Sequence, residues 1–151
     1  MKPTIGITAG DPAGIGLEVT LKALPSLLSE AHWMLFSDRA AFMRAHQHFS
    51  PTLEWTDCVD SSTTNIESDL TLFSLSGETT LPVWGSGSSE SGSRAFAALE
   101  AASKAALDRR VDAIVTAPVS KEFIGPDFLG QTEFLAKSAG SQRFAMAFFT
   151  P

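Results

Sequence analysis

Hydrophobic residues open the chain in alternation, Ile5 and Ile7 flanking Gly6, and then change to helical spacing at Leu17, Leu21, Leu24 and Leu28. A period of two marks a strand and a period near 3.6 a helix face, so a short buried strand is followed by an amphipathic helix over about Leu17–Leu28. Glu18 falls near the start of that helix, where a negative charge suits the dipole, and Pro25 is expected to end it early or kink it. Between strand and helix lies Gly10-Asp11-Pro12-Ala13-Gly14-Ile15-Gly16, whose glycines let the backbone turn sharply and approach a ligand closely. Free amides at the start of a helix suit an anion, which makes Asp11, Gly14 and Gly16 candidate ligand-loop residues. The competing reading is a tight βα connection with no ligand. Neither Gly-x-Gly-x-x-Gly nor Gly-Lys-Ser/Thr occurs in the loop, so the two common nucleotide fingerprints are absent.

Further along, His32–Phe36 reads as a second strand, and Asp38 as the cap of a helix with Phe42, Ala45 and Phe49 on one face. A β-α-β-α opening predicts an α/β sheet with mostly parallel strands and flanking helices. His46 and His48 are two apart, so a helix points them in different directions; both are expected at the surface, without a shared metal. Asp57–Asp69 is nearly all polar and reads as an exposed connection. Leu70, Leu72, Phe73 and Leu75 predict a strand, and Leu81–Trp84 a shorter one. The serine- and glycine-rich run Gly85–Ser93 is read as a loop entering a helix, with Ser93 as its cap. Phe96, Leu99, Ala102, Ala106 and Leu107 then form a helix ending near Arg109-Arg110.

Val111–Thr116 predicts a buried strand broken by Pro118, with Lys121 just beyond it. Ligands of open α/β sheets bind beyond the carboxyl ends of the strands, which sets Lys121 on the same edge as the glycine loop; a solvated loop lysine is the alternative. Gly130–Ala136 starts another helix, where Gln131 or Thr132 offers side-chain hydrogen-bonding groups to a ligand or simply caps. Arg143–Phe149 reads as a last apolar strand.

A length of 151 residues fits one domain or part of one. The net charge of −6, without a lysine or arginine run, leaves no basic footprint for nucleic acid or an anionic membrane. Cys58 is the only cysteine, so no internal disulfide forms and a reduced cytoplasm suits the chain. No signal pattern opens it, and no apolar run approaches the roughly 20 residues that span a bilayer.

Three segments together, Gly6–Gly16, Asp112–Glu122 and Gly130–Ala136, resemble the 4-hydroxythreonine-4-phosphate dehydrogenase (PdxA) family of vitamin B6 synthesis. The first is also similar to the opening of isocitrate and isopropylmalate dehydrogenases. The resemblance covers about the first half of the family's length and implies an incomplete isocitrate/isopropylmalate dehydrogenase-like α/β fold with two lobes in the whole protein. It implies oxidation of a secondary alcohol on a phosphorylated amino acid, 4-phosphooxy-L-threonine, with hydride passing to NAD or NADP and loss of carbon dioxide from the β-keto acid. A divalent metal polarises the alcohol oxygen, held by three histidines across a homodimer interface. A Gly-His-Thr-Glu motif contacts the small phosphorylated substrate; here Thr132 keeps its identity and Gln131 stands at the histidine position. Glutamine hydrogen-bonds but carries no titratable proton near neutral pH. The metal histidines align beyond Pro151, and His32, His46 and His48 match none of them. No catalytic or metal residue is therefore assigned to this chain, which alone is expected to be inactive. The alternative function is a non-catalytic module binding a small phosphorylated ligand or a protein partner. An unstable remnant with an open strand edge, or a group transferase, are further readings.

Overall fold

In the computed structural model, which describes residues 2–58, 68–75 and 80–149, the opening alternation forms β1 (Thr4–Thr8) and the first leucines form α1 (Gly16–Ala23). Pro25 ends that helix early: Leu24–Ser26 tightens into a single 3-10 turn with proline in its first positions. Then come β2 (His32–Asp38), α2 (Arg39–Phe49), β3 (Thr56–Cys58) and β4 (Leu70–Leu75). The 19-residue α3 (Ser89–Leu107), β5 (Ala113–Thr116), α4 (Lys121–Ile124) and α5 (Gln131–Ser138) complete the described order.

The strands form one parallel sheet in the order β3-β4-β2-β1-β5. Alternation along β2 divides the core between its two faces. Leu35 joins Ile7, Leu17, Leu21, Phe42, Ala45 and Leu72 under α1 and α2. Met34 and Phe36 point the other way and pack on Ala98, Ala102 and Ala105 of α3, where small residues let the helix lie close to the sheet. The chain passes from β1 to β2 on one side of β1, and from β4 across to β5 on its other side. The crevice between the carboxyl ends of β1 and β5 is therefore the switch point at which parallel sheets hold ligands.

Several expectations from the hydrophobic pattern are corrected. Val111–Thr116 is not a buried strand: only Ala113–Thr116 pairs, as the edge strand of the sheet, and Val115 there is half exposed. Leu81–Trp84 forms no strand; Arg44 and the rings of His48 and Phe49 hold it against α2 instead. Arg143–Phe149 runs exposed and without strand pairing, although apolar in sequence. The cap of α3 is Ser88, not Ser93, so the helix begins within the serine run, and it ends at Leu107 before Arg109 turns to φ 58°. His46 is not a surface residue: it is half-buried, its Nε2 lies 2.7 Å from the Leu53 carbonyl, and its ring stacks on Phe42. His48 is exposed as expected. Of the polar connection Asp57–Asp69, Asp57 and Cys58 belong to β3, and residues 59–67 lie outside the described part.

Candidate functional site

Three segments meet where β1 and β5 end. The glycine loop leaves β1 and presses on the chain leaving β5: the Asp11 amide donates to the Pro118 carbonyl at 3.2 Å, and the Ala117 amide to the Thr8 carbonyl at 3.2 Å. From the other side, Gln131 at the start of α5 donates its Nε2 to the Ala117 carbonyl at 2.9 Å. The carbonyls of Ala117 and Pro118 thus tie the glycine loop and the α5 N-terminus to one pair of peptides. Gln131→Met keeps the length and deletes the donor; it should lower stability by about 0.5–1.5 kcal/mol in urea unfolding, the net value of one such bond.

Asp11 does not extend into solvent. It is 7% exposed, its Oδ1 accepts from the Ala13 amide at 2.8 Å, and its Oδ2 accepts from the Ser91 hydroxyl at 3.2 Å. Gly16 is buried beside Ala9 and Ala117, whereas Gly14 is exposed. The first turn of α1 has no side-chain cap, so its leading amides rely on solvent or a ligand.

Lys121 opens α4, and its Nζ donates to the Leu129 carbonyl, which folds the side chain over Gly130. An ammonium has three donors, so this bond leaves others for an anion. Gly130 caps α5 at φ 158°, and Glu133 reaches back across it: a Cβ on Gly130 would lie 2.6 Å from the Glu133 carboxylate. Thr132, half-buried, is the second residue of the same helix. Beside this terminus opens a cavity of about 640 Å³ walled by Phe96, Ile124, Phe128, Leu129, Phe134 and Lys137, with the Phe134 and Phe128 rings packed edge-on against Phe96.

Neighbouring carboxyl ends are fixed by charge. Arg94 of α3, 9% exposed, donates Nη1 to Asp38 Oδ2 at 2.7 Å and to the Thr80 carbonyl at 2.8 Å, and Nη2 to Glu90 at 2.6 Å. Asp38 also caps α2 by accepting from the Ala41 amide. Arg44 donates to the carbonyls of Pro82 and Pro12, joining the 80–88 segment to the glycine loop, and burial pushes its guanidinium below the usual arginine range, partly offset by Asp38. Sequence reasoning missed Ser88, Glu90, Ser91, Arg94 and Arg44. Ser88-x-x-Ser91 is a capping box with serine where glutamate or glutamine is the usual signal, and the surrounding serines hid it.

Metal chemistry finds no donor set: among the described residues no three His, Cys, Asp or Glu side chains cluster to hold an ion. Also among them, no helix is long and apolar enough to cross a membrane.

The sequence profile described as "Pyridoxal phosphate biosynthetic protein PdxA" matches residues 29–151. A 4-hydroxythreonine-4-phosphate dehydrogenase from Synechocystis sp. is 39% identical over 152 residues, covering 97% of this chain and 42% of its own. A sequence described as a candidate D-threonate 4-phosphate dehydrogenase from Cutibacterium acnes is 34% identical over 151 residues, covering 92% of this chain and 42% of its own. The crystal structure of a 4-hydroxythreonine-4-phosphate dehydrogenase from Burkholderia phymatum superposes with a TM-score of 0.83 at 30% identity, over 95% of this chain and 45% of that one. The chain thus spans less than half the length of these relatives.

Proposed function

The chain belongs to the PdxA family, and from that membership we propose that residues 1–151 form the N-terminal portion of a two-lobed, isocitrate/isopropylmalate dehydrogenase-like enzyme. The whole protein oxidises 4-phosphooxy-L-threonine with NAD or NADP and a divalent metal, with decarboxylation, on the route to pyridoxal phosphate. It works as a cytoplasmic homodimer. The observation that carries this reading is the family match over residues 29–151, joined to the bonds by which the glycine loop and Gln131 both reach the chain leaving β5.

In this reading the chain supplies substrate binding and orientation. The Gly14 and Gly16 region, shaped from within by Asp11, offers helix-start amides to the phosphate or carboxylate, and Lys121 adds a positive charge. Gln131 and Thr132 hydrogen-bond the substrate's polar groups. Gln131 keeps this role at any pH near neutral, because its amide does not titrate. The described residues do not fit the metal, so no step through it is assigned to them.

A second reading is a module that binds a small phosphorylated ligand, or a protein partner, without turnover; the glycine loop anchored to the chain leaving β5 would serve it as well. The first reading is tested on the chain itself. The purified chain is given 4-phosphooxy-L-threonine, Mg2+ and NADP, with cofactor absorbance and calorimetry followed together. No reduction is expected, with saturable binding weakened by Thr132→Val. Turnover by the chain alone would overturn its assignment as an incomplete half. Absence of binding would remove the substrate role of Thr132. Binding of D-threonate 4-phosphate in preference would move the substrate to the acid lacking the amine.

A further inference from the structure

We propose that Ser91, in the first turn of α3, is a positioning residue for the Gly10–Gly16 loop, fixing its conformation through the Asp11 carboxylate. The consequence for ligands rests on the reading of that loop as an anion holder; the conformational claim does not.

The turn from residue 11 to residue 14 is built on Asp11. Its Oδ1 accepts from the Ala13 amide at 2.8 Å, and its main-chain carbonyl accepts from the Gly14 amide at 2.9 Å. The remaining oxygen, Oδ2, takes the Ser91 hydroxyl at 3.2 Å, a bond spanning 80 positions of sequence. Both residues are buried, Ser91 at 1% exposure and Asp11 at 7%, so water does not readily replace the partner. Ser91 is held in turn by the capping box: its amide donates to Ser88 Oγ at 3.2 Å, and its Oγ accepts from the Ser88 amide at 3.0 Å. One hydroxyl therefore connects the start of a long helix to the glycine loop. The dipole of that helix favours the Asp11 charge at its N-terminus.

The bond inventory gives a sharp expectation. Ser91 has one proton and two acceptors within reach, Asp11 Oδ2 at 3.2 Å and the Ser88 carbonyl at 3.0 Å. In Asp11→Asn the amide oxygen still serves Ala13, while the new NH2 donates to Ser91 Oγ and frees the hydroxyl proton for the Ser88 carbonyl. That variant keeps both the Ala13 and the Ser91 bonds. Ser91→Ala satisfies none of those at Oδ2, and Ser88→Ala removes the helix cap without touching Asp11.

Amide hydrogen exchange on the full chain, read residue by residue, tests this. Ser91→Ala should speed exchange at Ala13 and Gly14 by about tenfold or more, with β1 and β2 unchanged, because it frees a local opening. Asp11→Asn and Ser88→Ala should leave those two rates within about threefold of wild type. The proposal is overturned if Ser91→Ala leaves Ala13 and Gly14 unchanged, or if Ser88→Ala speeds them equally, which would reduce Ser91 to a capping residue. Calorimetry with inorganic phosphate is run alongside and should show weaker binding in Ser91→Ala than in Ser88→Ala. If wild type takes up no phosphate, the anion-loop reading fails by itself, while the exchange rates still decide what positions the loop.

Discussion

Replacing Arg94 with methionine should lower the stability of the chain by about 3–5 kcal/mol, the usual cost of leaving one member of a buried ion pair without the other. Arg94 and Asp38 have side chains only 8% and 7% exposed, so little water reaches the carboxylate when the guanidinium is removed. Methionine fills much of the volume and therefore isolates the charge effect from a cavity effect. The damage reaches past the pair, because the same guanidinium holds the Thr80 carbonyl and the carboxyl end of β2 is where α2 is capped. Glu90 does not rescue it: its carboxylate is 61% exposed and contributes little to the net balance. The loss is comparable with the whole stability of a marginal domain, about 5–15 kcal/mol, so urea unfolding should shift far to low denaturant. Adding Asp38→Asn should restore a large part, since asparagine keeps the α2 cap and carries no stranded charge. A single variant within 1 kcal/mol of wild type, on the order of an exposed pair, would show that the pair is effectively solvated.

Arg94 also marks where the sequence stopped being legible. Local periods identified β1, β2, α2 and β4, and Asp38 as a cap, because each of those depends on neighbours within a few positions. The partners of Arg94 lie up to 56 positions away, and nothing local distinguishes it from a solvated helix arginine. Leu81–Trp84 and Arg143–Phe149 failed for the same kind of reason: an apolar run becomes a strand only where the fold brings it alongside a sheet edge, and neither run pairs with one. Val111–Thr116 was placed well but not its burial, since strand order alone decides which strand sits at the edge. For the candidate site, strand-end reasoning could put Lys121 on the edge of the glycine loop, and Gln131 could be read only as a polar residue at a helix start. That Ala117 and Pro118 tie the loop to Gln131 needed the coordinates.

Gly16→Val is the second change with a large expected effect, and it distinguishes two meanings of a glycine-rich loop. A Cβ at position 16 would lie 2.2 Å from the Ala9 carbonyl oxygen and 3.0 Å from Ala117 Cβ. The first is backbone and has no side-chain freedom to move away. Valine then forces either α1 off the loop or the loop off the β5 exit, an overpacking cost of about 1–3 kcal/mol or more, with loss of ligand binding. Gly10 is under the same pressure, at φ +71° and 2.4 Å from the Pro118 carbonyl for an added Cβ. These two glycines are accounted for by the tight junction of β1 and β5 without invoking any ligand. Gly14 differs: it is exposed, and its nearest neighbour for a Cβ is the Asp11 carbonyl at 3.3 Å, a tight contact but far short of the overlaps at positions 10 and 16. Gly14→Ala should therefore leave stability within about 0.5 kcal/mol. Should it also weaken binding of 4-phosphooxy-L-threonine, a ligand must approach the backbone there, and Gly14 alone of the three is a glycine for the ligand's sake. Should binding survive Gly14→Ala and fail in Gly16→Val, the loop serves the ligand only by holding α1 against β5.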